Sequence, residues 1–259
     1  MQVPSVSPDW WRELFDEVYL KTDFRSVLDG DLTRREVDGL IQALKLRPHE
    51  AILDLCGGHG RHALEMARRG FSRVLVVDFS QPLLSLGKAQ AQKEGLGVAF
   101  LRGDARAVPL ATESFTAVVL LANSFGYGAT RQDDLEIIRE AWRLLKPSGR
   151  LFLEMADPEF IRQHLPRLSW HEAPENLVVC RRRWVTEEHL ICRELVLCRN
   201  RGLVRDRAYQ MRLYQPEELR TYLRQIGFSE IRVAPQKELD AQPQERGSLS
   251  RRLAVTAWK

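Results

Sequence analysis

The sequence predicts an α/β fold: a doubly wound, Rossmann-like sheet of seven mostly parallel strands, with an N-terminal helical cap and an antiparallel β insert. Three observations predict it. Between residues 51 and 155, apolar runs of strand length alternate with helix-length amphipathic segments. Those runs are continuous rather than alternating, as strands covered on both faces require. After residue 156 the pattern shifts to β-type runs separated by turn residues, and a helix and two strands close the chain.

Each element follows in order. PDWWRELFDEVYL spaces Trp11, Leu14, Phe15, Val18 and Tyr19 at helical intervals, so one helix is expected over it. A second helix, DLTRREVDGLIQALKL, has Thr33 three residues before Glu36, a capping-box pattern. AILDL is a strand, and RHALEMARR is a helix closed by Gly70. VLVVD is a buried strand; Ser80 and Pro82 open the next helix and Gly95 ends it. VAFLRGD and FTAVVLLANS are the third and fourth strands. RQDDLEIIREAWRLLKPSG is a helix with acids in its first turn, and RLFLEM is the fifth strand. DPEFIRQHL is a short helix. NLVVCRRRWVT, HLICRELVLC and VRDRAYQMRLY read as a three-stranded antiparallel meander within residues 176–214. PEELRTYLRQIGF is a helix ended by Gly227, and EIRVA and RLAVTAW are the last strands. The expected division is a helical cap (1–46), a sheet core (47–158), a helix with the β insert (159–214), and a C-terminal helix with two strands (215–259). Right-handed crossovers put the loops after the parallel strands on one edge, where ligands bind.

With 259 residues, 44% hydrophobic and 29% charged, the chain has the make-up of a folded soluble protein with a full core. No apolar run approaches the ~20 residues of a membrane span. MQVPSVSPDWWRELFDE lacks a basic stretch followed by an apolar one, so it does not read as a secretory signal. Cys56, Cys180, Cys192 and Cys198 form no C-x-x-C pair, so reduced thiols in a cytoplasmic protein are expected. No His/Asp/Glu cluster has ligand spacing, so no metal is expected. The net charge is +4. Residues 1–50 hold ten acidic and seven basic side chains, and residues 201–259 hold seven acidic and twelve basic. That gradient is too mild to demand nucleic acid. Arg181-Arg182-Arg183 is the sharpest basic feature, open to two readings: a solvated strand edge or a phosphate contact.

The glycine cluster in AILDLCGGHGRHALEMARRG, residues 51–70, lets backbone approach a ligand at a helix start. Three cofactor types compete for it. A phosphate-cradling P-loop needs G-x-x-x-x-G-K-[ST], and Arg61-His62-Ala63 break that pattern. The dinucleotide fingerprint is met by Gly58-His59-Gly60-Arg61-His62-Ala63, with Asp78 about 20 residues on. S-adenosylmethionine shares the ribose-binding acid, has no diphosphate, and brings an ammonium and a carboxylate. Asp54 ends the first strand, where an acid is costly without a donor or a cation. It would repel a diphosphate and attract an ammonium.

The spacing Asp54-x-Cys56-x-Gly58-x-Gly60 resembles the first motif of the class I S-adenosylmethionine-dependent methyltransferases, an acid followed by alternating glycines. Cys56 departs from it in a D-L-C-x-G-x-G-R-H form that small-molecule members carry. Asp78 in VVDFS, Asp104 in RGDARAVPL, and SFTAVVLLANSFGY followed by LEIIREAWRLLKPSGRLFLE match the later motifs in order. The likeness covers residues 8–158 and extends to the C-terminal helix and strands. It implies S-adenosyl-L-methionine as cofactor and S-adenosyl-L-homocysteine as product. It implies in-line methyl transfer, in which the protein aligns the acceptor, excludes water and handles any proton on the nucleophile. By position, Gly58, His59, Gly60 and Arg61 should line the methionine end, with Asp54 beneath. Asp78, Phe79 and Ser80 should surround the ribose. Gly103, Asp104, Ala105 and Arg106 should lie near adenine. Leu121, Asn123 and Ser124 should leave the fourth strand at the methyl-transfer edge.

Ser124-Phe125-Gly126-Tyr127 resembles an S-F-G-Y element of small-molecule members, so Tyr127 either touches the acceptor or packs beneath the N-terminal helices. Tyr19 either closes over the cofactor or packs in the core, and Trp10 and Trp11 read as core. His164, His171 and His189 are the candidates for a general base, and each also reads as a surface histidine. Residues 123–126, Asn-Ser-Phe-Gly, are not the Asn/Asp-Pro-Pro-Tyr of enzymes acting on glutamine amides or nucleobases. No Pro-Cys nucleophile, RNA-binding module or basic aromatic stripe appears. A small-molecule acceptor is therefore expected, enclosed by the N-terminal helices and the β insert as lid and wall. The alternatives are an RNA or protein methyltransferase docking through residues 181–183 and the basic C-terminal region, and an NAD(P)-binding oxidoreductase. The insert's strands are also candidates to pair across a two-fold axis in a homodimer.

Overall fold

A computed structural model describes residues 2–23, 27–236, 248 and 250–259. The chain enters through α1 (Trp11–Leu14), α2 (Glu17–Thr22) and α3 (Gly30–Leu44). There follow β1 (Ile52–Leu55), α4 (Arg61–Arg68), β2 (Val74–Asp78), α5 (Gln81–Glu94), β3 (Val98–Arg102), β4 (Phe115–Leu120), α6 (Arg131–Leu144) and β5 (Leu145–Ala156). Beyond them lie α7 (Pro158–His164), β6 (Leu168–Ala173), β7 (Leu177–Val185), β8 (His189–Cys198) and β9 (Gly202–Arg212). The chain closes with α8 (Pro216–Ile226), β10 (Ser229–Pro235) and β11 (Arg252–Trp258).

Seven strands form one sheet in the order β10-β11-β5-β4-β1-β2-β3. β1 pairs in parallel with β2 and β4, and β2 with β3 and β4 with β5 likewise; β11 runs antiparallel to both neighbours, β5 and β10. The strand order reverses at β1 and β4, so the loops after these strands diverge and leave a crevice at their C-terminal ends. Both faces are covered, which is why β1 is buried at every position. Leu53 and Leu55 pack with Ile138 and Leu144 of α6 and Leu219 and Leu223 of α8. Ile52 faces the other way, with Leu40 and Leu44 of α3, Met66 of α4 and Leu84 of α5. Side chains alternate along a strand, so Asp54 shares the face of Ile52. Among the described residues no helix is long and apolar enough to cross a membrane.

Three local expectations change. The helix expected over PDWWRELFDEVYL is two short helices, because Asp16 turns extended (φ −121°) and its carboxylate caps the second by accepting from Tyr19 N at 3.0 Å. The capping box expected at Thr33 and Glu36 lies inside α3; the cap is Asp29, which accepts from Leu32 N at 2.9 Å. Glu36 is thereby released into the interior. The insert has four strands, β6-β7-β8-β9, rather than three. β6 reads LSWHEA, with polar and apolar side chains mixed on both faces, and it is an edge strand with Leu168 and Trp170 exposed. Ser80 and Gly95 end α5 as expected, Ser80 Oγ accepting from Leu83 N and Gly95 adopting φ 66°.

A branched ionic network lies in the interior behind the crevice. Arg252 on β11, 1% exposed, donates from Nη2 to Glu36 Oε1 (2.5 Å) and from Nη1 to Glu154 Oε2 (2.6 Å). Glu36 also accepts from Arg61 and from His62 Nε2 (2.9 Å) on α4. Glu154 on β5 accepts from Ala122 N (2.7 Å) just past β4 and from Gln236 Nε2 (2.8 Å). Burial alone would raise the Glu36 carboxyl, but Arg61, His62 and Arg252 hold it well below the usual carboxylate range. The network ties α3, α4, β5 and β11 together behind the crevice.

Helix α5 lies against the glycine turn because residue 87 has no side chain. A Cβ on Gly87 would sit 2.3 Å from the His59 carbonyl oxygen, whereas one on Gly39 in α3 would meet nothing within 4 Å. Gly87→Ala should therefore destabilise by about 1–3 kcal/mol through overpacking, while Gly39→Ala should stabilise by about 0.5–1 kcal/mol through helix propensity. Urea unfolding midpoints of the two variants check the contrast. Arg252→Met leaves two buried carboxylates short of a cation and should cost about 3–5 kcal/mol in the same assay.

Candidate functional site

The turn after β1 departs from ordinary backbone at three residues: Cys56 (φ 60°), Gly58 (φ 58°) and Gly60 (φ 72°) are left-handed. Gly57 lies directly over Asp54. A Cβ there would be 2.6 Å from the Asp54 carboxyl carbon, so only glycine lets the turn close. Most of the turn's N–H groups are used internally. Gly57 N donates to Val77 O (3.2 Å), Gly58 N to Asp78 Oδ2 (2.7 Å) and Gly60 N to Gly57 O (2.9 Å). A diphosphate would find a carboxyl below and few donors above. Asp54 is fully buried, and neither of its oxygens has a hydrogen-bond partner. Burial pushes its carboxyl up to about 7; Arg61 opposes the shift, and Asp78 and Glu154 add to it.

Asp78 ends β2 and is committed to shaping the turn. Its two oxygens accept from Gly58 N and from Ser80 N (2.8 Å), yet burial still raises its carboxyl above the usual range. Each oxygen retains a lone pair for a hydroxyl. Past β3, Asp104 accepts from Arg106 Nε (3.0 Å) and Nη2 (2.6 Å), and Arg106 reaches Asp133 at 3.1 Å. Hydrogen bonds from Arg106 hold Asp104 below its ordinary value.

At the end of β4 two consecutive non-glycine residues, Ala122 (φ 55°) and Asn123 (φ 60°), are left-handed. Such conformations are costly and persist only where surroundings impose them. The restraints are the Ala122 N–H bond to Glu154 and Ser124 Oγ, which donates to Leu121 O at 2.5 Å. The kink turns Leu121, Ala122 and Ser124 toward the crevice. Asn123 points away; its Nδ2 donates to Ser248 O at 3.3 Å. The S-F-G-Y loop is fastened at its far end. A Cβ on Gly126 would strike Arg212 O at 2.8 Å, and buried Asp134 accepts from Gly128 N, Arg212 and Tyr214.

The N-terminal helices roof the crevice. Phe15 stacks on Tyr127 at 5.8 Å and meets Tyr19 edge-on at 5.0 Å, while Trp10 meets Tyr127 edge-on at 4.9 Å. Ser80 Oγ donates to Phe15 O at 2.5 Å. The roof is pinned to the insert by ion pairs of Asp23 with Arg181 (2.6 Å), Asp16 with Arg205 and Lys21 with Glu175 (2.8 Å), and by His171 Nε2 donating to Thr22 O (2.9 Å). The space under the roof, counted with its open mouth, is about 1170 Å³.

Most of the residues expected at the site line this one cleft: Asp54, Gly58, His59 and Arg61; Asp78, Phe79 and Ser80; Gly103, Asp104, Ala105 and Arg106; and Leu121, Ser124, Tyr19 and Tyr127. Gly60 and Asn123 are outside the lining. Arg61 lines it but is already paired with Glu36 and Thr33. None of the three candidate bases reaches the cleft. His164 packs against Phe160 with ring centres 5.4 Å apart, His171 is bound to Thr22 O, and His189 starts β8 opposite Arg212. Of the arginine run, Arg181 is paired inside with Asp23 and Glu194, and Arg183 donates to Pro166 O and Ser169 Oγ. Arg182 lies over the Trp184 ring at 5.2 Å, and the other two arginines are committed to partners within the chain. Sequence reasoning missed Gly57, Trp11, Phe15, Val27 and Ala122 in the lining. The period of the N-terminal helices marks which residues are apolar, not whether they cover core or cleft. Among the described residues no group of three or more His, Cys, Asp or Glu is placed to hold a metal.

The cleft fits a zwitterionic nucleoside. The orphaned Asp54 carboxyl calls for a cation, a glycine cradle stands directly above it, and Asp78 waits one strand away. Residues 52–149 match the family model described as a methyltransferase domain. The chain is 32% identical over 148 residues to the ubiquinone/menaquinone biosynthesis C-methyltransferase UbiE of Acidiphilium cryptum, covering 54% of this chain and 56% of that relative. It thus spans little more than half of that relative's length. An S-adenosylmethionine-dependent methyltransferase from Clostridium acetobutylicum superposes with TM-score 0.71 at 15% identity, covering 93% of this chain and 96% of its own. CalS10, an amino pentose methyltransferase from Micromonospora echinaspora solved with S-adenosylmethionine bound, superposes with TM-score 0.68 at 21% identity, covering 95% and 98%. Motif order, sheet order with one reversed strand, and these likenesses agree: residues 52–149 match a methyltransferase domain, and the chain has the fold of these S-adenosylmethionine-dependent methyltransferases.

Proposed function

We propose that the protein transfers a methyl group from S-adenosylmethionine to a small molecule that is uncharged or carries an amine. The observation that supports this best is the partnerless carboxyl of Asp54 beneath the glycine turn. S-adenosylmethionine supplies the methyl group already activated by its sulfonium, so the chain's work is placement and water exclusion. Asp54 attracts the ammonium of the methionine end. The first-turn N–H groups of α4, which a helix leaves without intrahelical partners, suit its carboxylate. Asp78 accepts from the ribose hydroxyls, and Asp104 with Ala105 borders the base. The kink at Leu121 and Ala122, braced by Glu154, sets the edge against which the acceptor lies, with Tyr127, Phe15 and Tyr19 as its wall.

The cleft's charges favour the acceptor class. Asp54, Asp78, Asp104 and Asp133 line it, against Arg61 and Arg106. Both arginines are already paired with carboxylates. A phosphate or carboxylate on the acceptor would meet unbalanced negative charge, whereas an amine would not. CalS10 is named for an amino pentose and the UbiE relative for methylation at carbon; the charge balance favours the former kind of acceptor here. Of the histidines on the lining, His62 is bound to Glu36, and His59 is kept neutral by burial, its imidazole pushed down to about 4. At that value the His59 ring is a weak base near neutral pH, which suits an amine that enters already as its free base.

Calorimetric titration with S-adenosylhomocysteine tests the cofactor reading. Asp78→Ala should weaken binding by about 1–3 kcal/mol, since it leaves hydroxyls without an acceptor. Unchanged affinity, or tighter binding of NAD than of S-adenosylhomocysteine, counts against the assignment. The same titration has a defined pH dependence. In the free protein Asp54 is protonated below about pH 7, and an ammonium favours its ionised form, so binding releases a proton. Affinity should be flat above pH 7 and fall about tenfold per pH unit below it. Asp54→Asn should bind more weakly and lose that slope.

A further inference from the structure

Trp11 is the cleft residue that neither its motif context nor its helix explains. It sits on α1, a four-residue helix without a side-chain cap, yet it is half-buried and faces the cleft rather than the core. The core role of this segment belongs to its neighbours Trp10 and Leu14, 7% and 6% exposed. The indole of Trp11 meets Phe79 edge-on at 5.0 Å, and the Arg106 guanidinium lies 5.7 Å from its ring centre. Phe79 follows the ribose acid Asp78, and Arg106 follows Asp104. Trp11 therefore stands over the gap between the ends of β2 and β3, with Ala105 and Ile137 also on the lining. A stretch of cleft wall made of an indole, a phenyl ring and a guanidinium suits the face or edge of a purine.

The same short segment reaches the opposite end of the cleft. Four residues on from Trp11, Phe15 packs on Tyr127, and its carbonyl accepts from Ser80 Oγ beside the ribose acid. Tyr19 packs on Phe15 in turn. One helix-break-helix unit thus touches both the base slot and the acceptor wall. A single-turn helix has almost no stability of its own, so its placement rests on such contacts.

We propose, on the cofactor reading above, that Trp11 is a cofactor-binding residue that packs against the purine base. Through it, occupancy of the base slot seats residues 10–22 and completes the acceptor wall with Phe15 and Tyr19. Binding is then ordered: cofactor first, acceptor second.

Hydrogen exchange and calorimetry with two probes, S-adenosylhomocysteine and adenosine, test this. In the wild-type protein, adenosine alone should slow exchange of amides in residues 10–22, because the base slot suffices. Trp11→Ala should weaken S-adenosylhomocysteine about tenfold and abolish that protection while leaving protection of residues 57–63 by S-adenosylhomocysteine intact. Trp11→Phe should bind within about threefold of wild type. Wild-type affinity in Trp11→Ala, or protection of residues 10–22 that persists in it, would overturn the proposal. Wild-type protein that binds neither probe would instead sink the cofactor reading on which it rests, and a lowered melting temperature of ligand-free Trp11→Ala without loss of affinity would reduce Trp11 to packing.

Discussion

A buried carboxyl without a partner governs the centre of this protein. Asp54 sits on a fully covered strand, on the face turned to α4, where an ionised group is expensive and a neutral one stays poised near pH 7. Everything above it is shaped to keep the space open. Gly57 has no Cβ because the Asp54 carboxyl occupies the place. Gly58 and Gly60 take left-handed turns, and Gly87 lets α5 press against the His59 carbonyl and hold the turn down. The turn binds its own amides, so it offers a ligand shape and negative potential rather than a ring of donors. On the proposed reading, that combination favours a zwitterion over a diphosphate in a fold that can host either.

The remaining charges are arranged so that they do not compete for the ligand. Arg61 points at Glu36, Arg106 is shared by Asp104 and Asp133, and Arg181 and Arg205 are bound to acids of the lid and the insert. The Arg252 network then links the first turn of α4 to Glu154, and Glu154 holds the Ala122 amide at the kink after β4. Backbone strain at the end of β4 and the position of the glycine turn thus share one set of buried contacts. Buried, hydrogen-bonded ion pairs are poor sources of net stability, but removing one partner is costly, which suits them to fixing geometry.

The N-terminal helices and the insert are tied together by ion pairs. Ion pairs between acidic residues 16 and 23 and arginines of the insert sheet account for part of the charge asymmetry between the two ends of the chain. Acids of the N-terminal region and arginines of the later segments thus meet each other at these pairs.

The sequence by itself determined the α/β alternation, the strand and helix order of the core, the glycine turn with Asp54 and Asp78, and the caps at Ser80, Gly95 and Gly227. These are local properties: apolar runs, fixed spacings, and residues whose own backbone preferences end a helix. Only the tertiary structure decided which side chains face the cleft. Trp10 and Trp11 are adjacent and chemically alike, yet one is core and the other lines the site, because neighbours on a helical turn point about 100° apart and only packing decides which of the two directions is the cleft. Asn123 is turned out of the cleft and Ala122 into it by a bond from Glu154, far away in sequence. The three candidate histidines stand in the right segment but on surfaces the cleft does not reach. Arginines 181 and 183 face inward because strand alternation, invisible in a run of identical residues, is settled only when the insert packs against the lid.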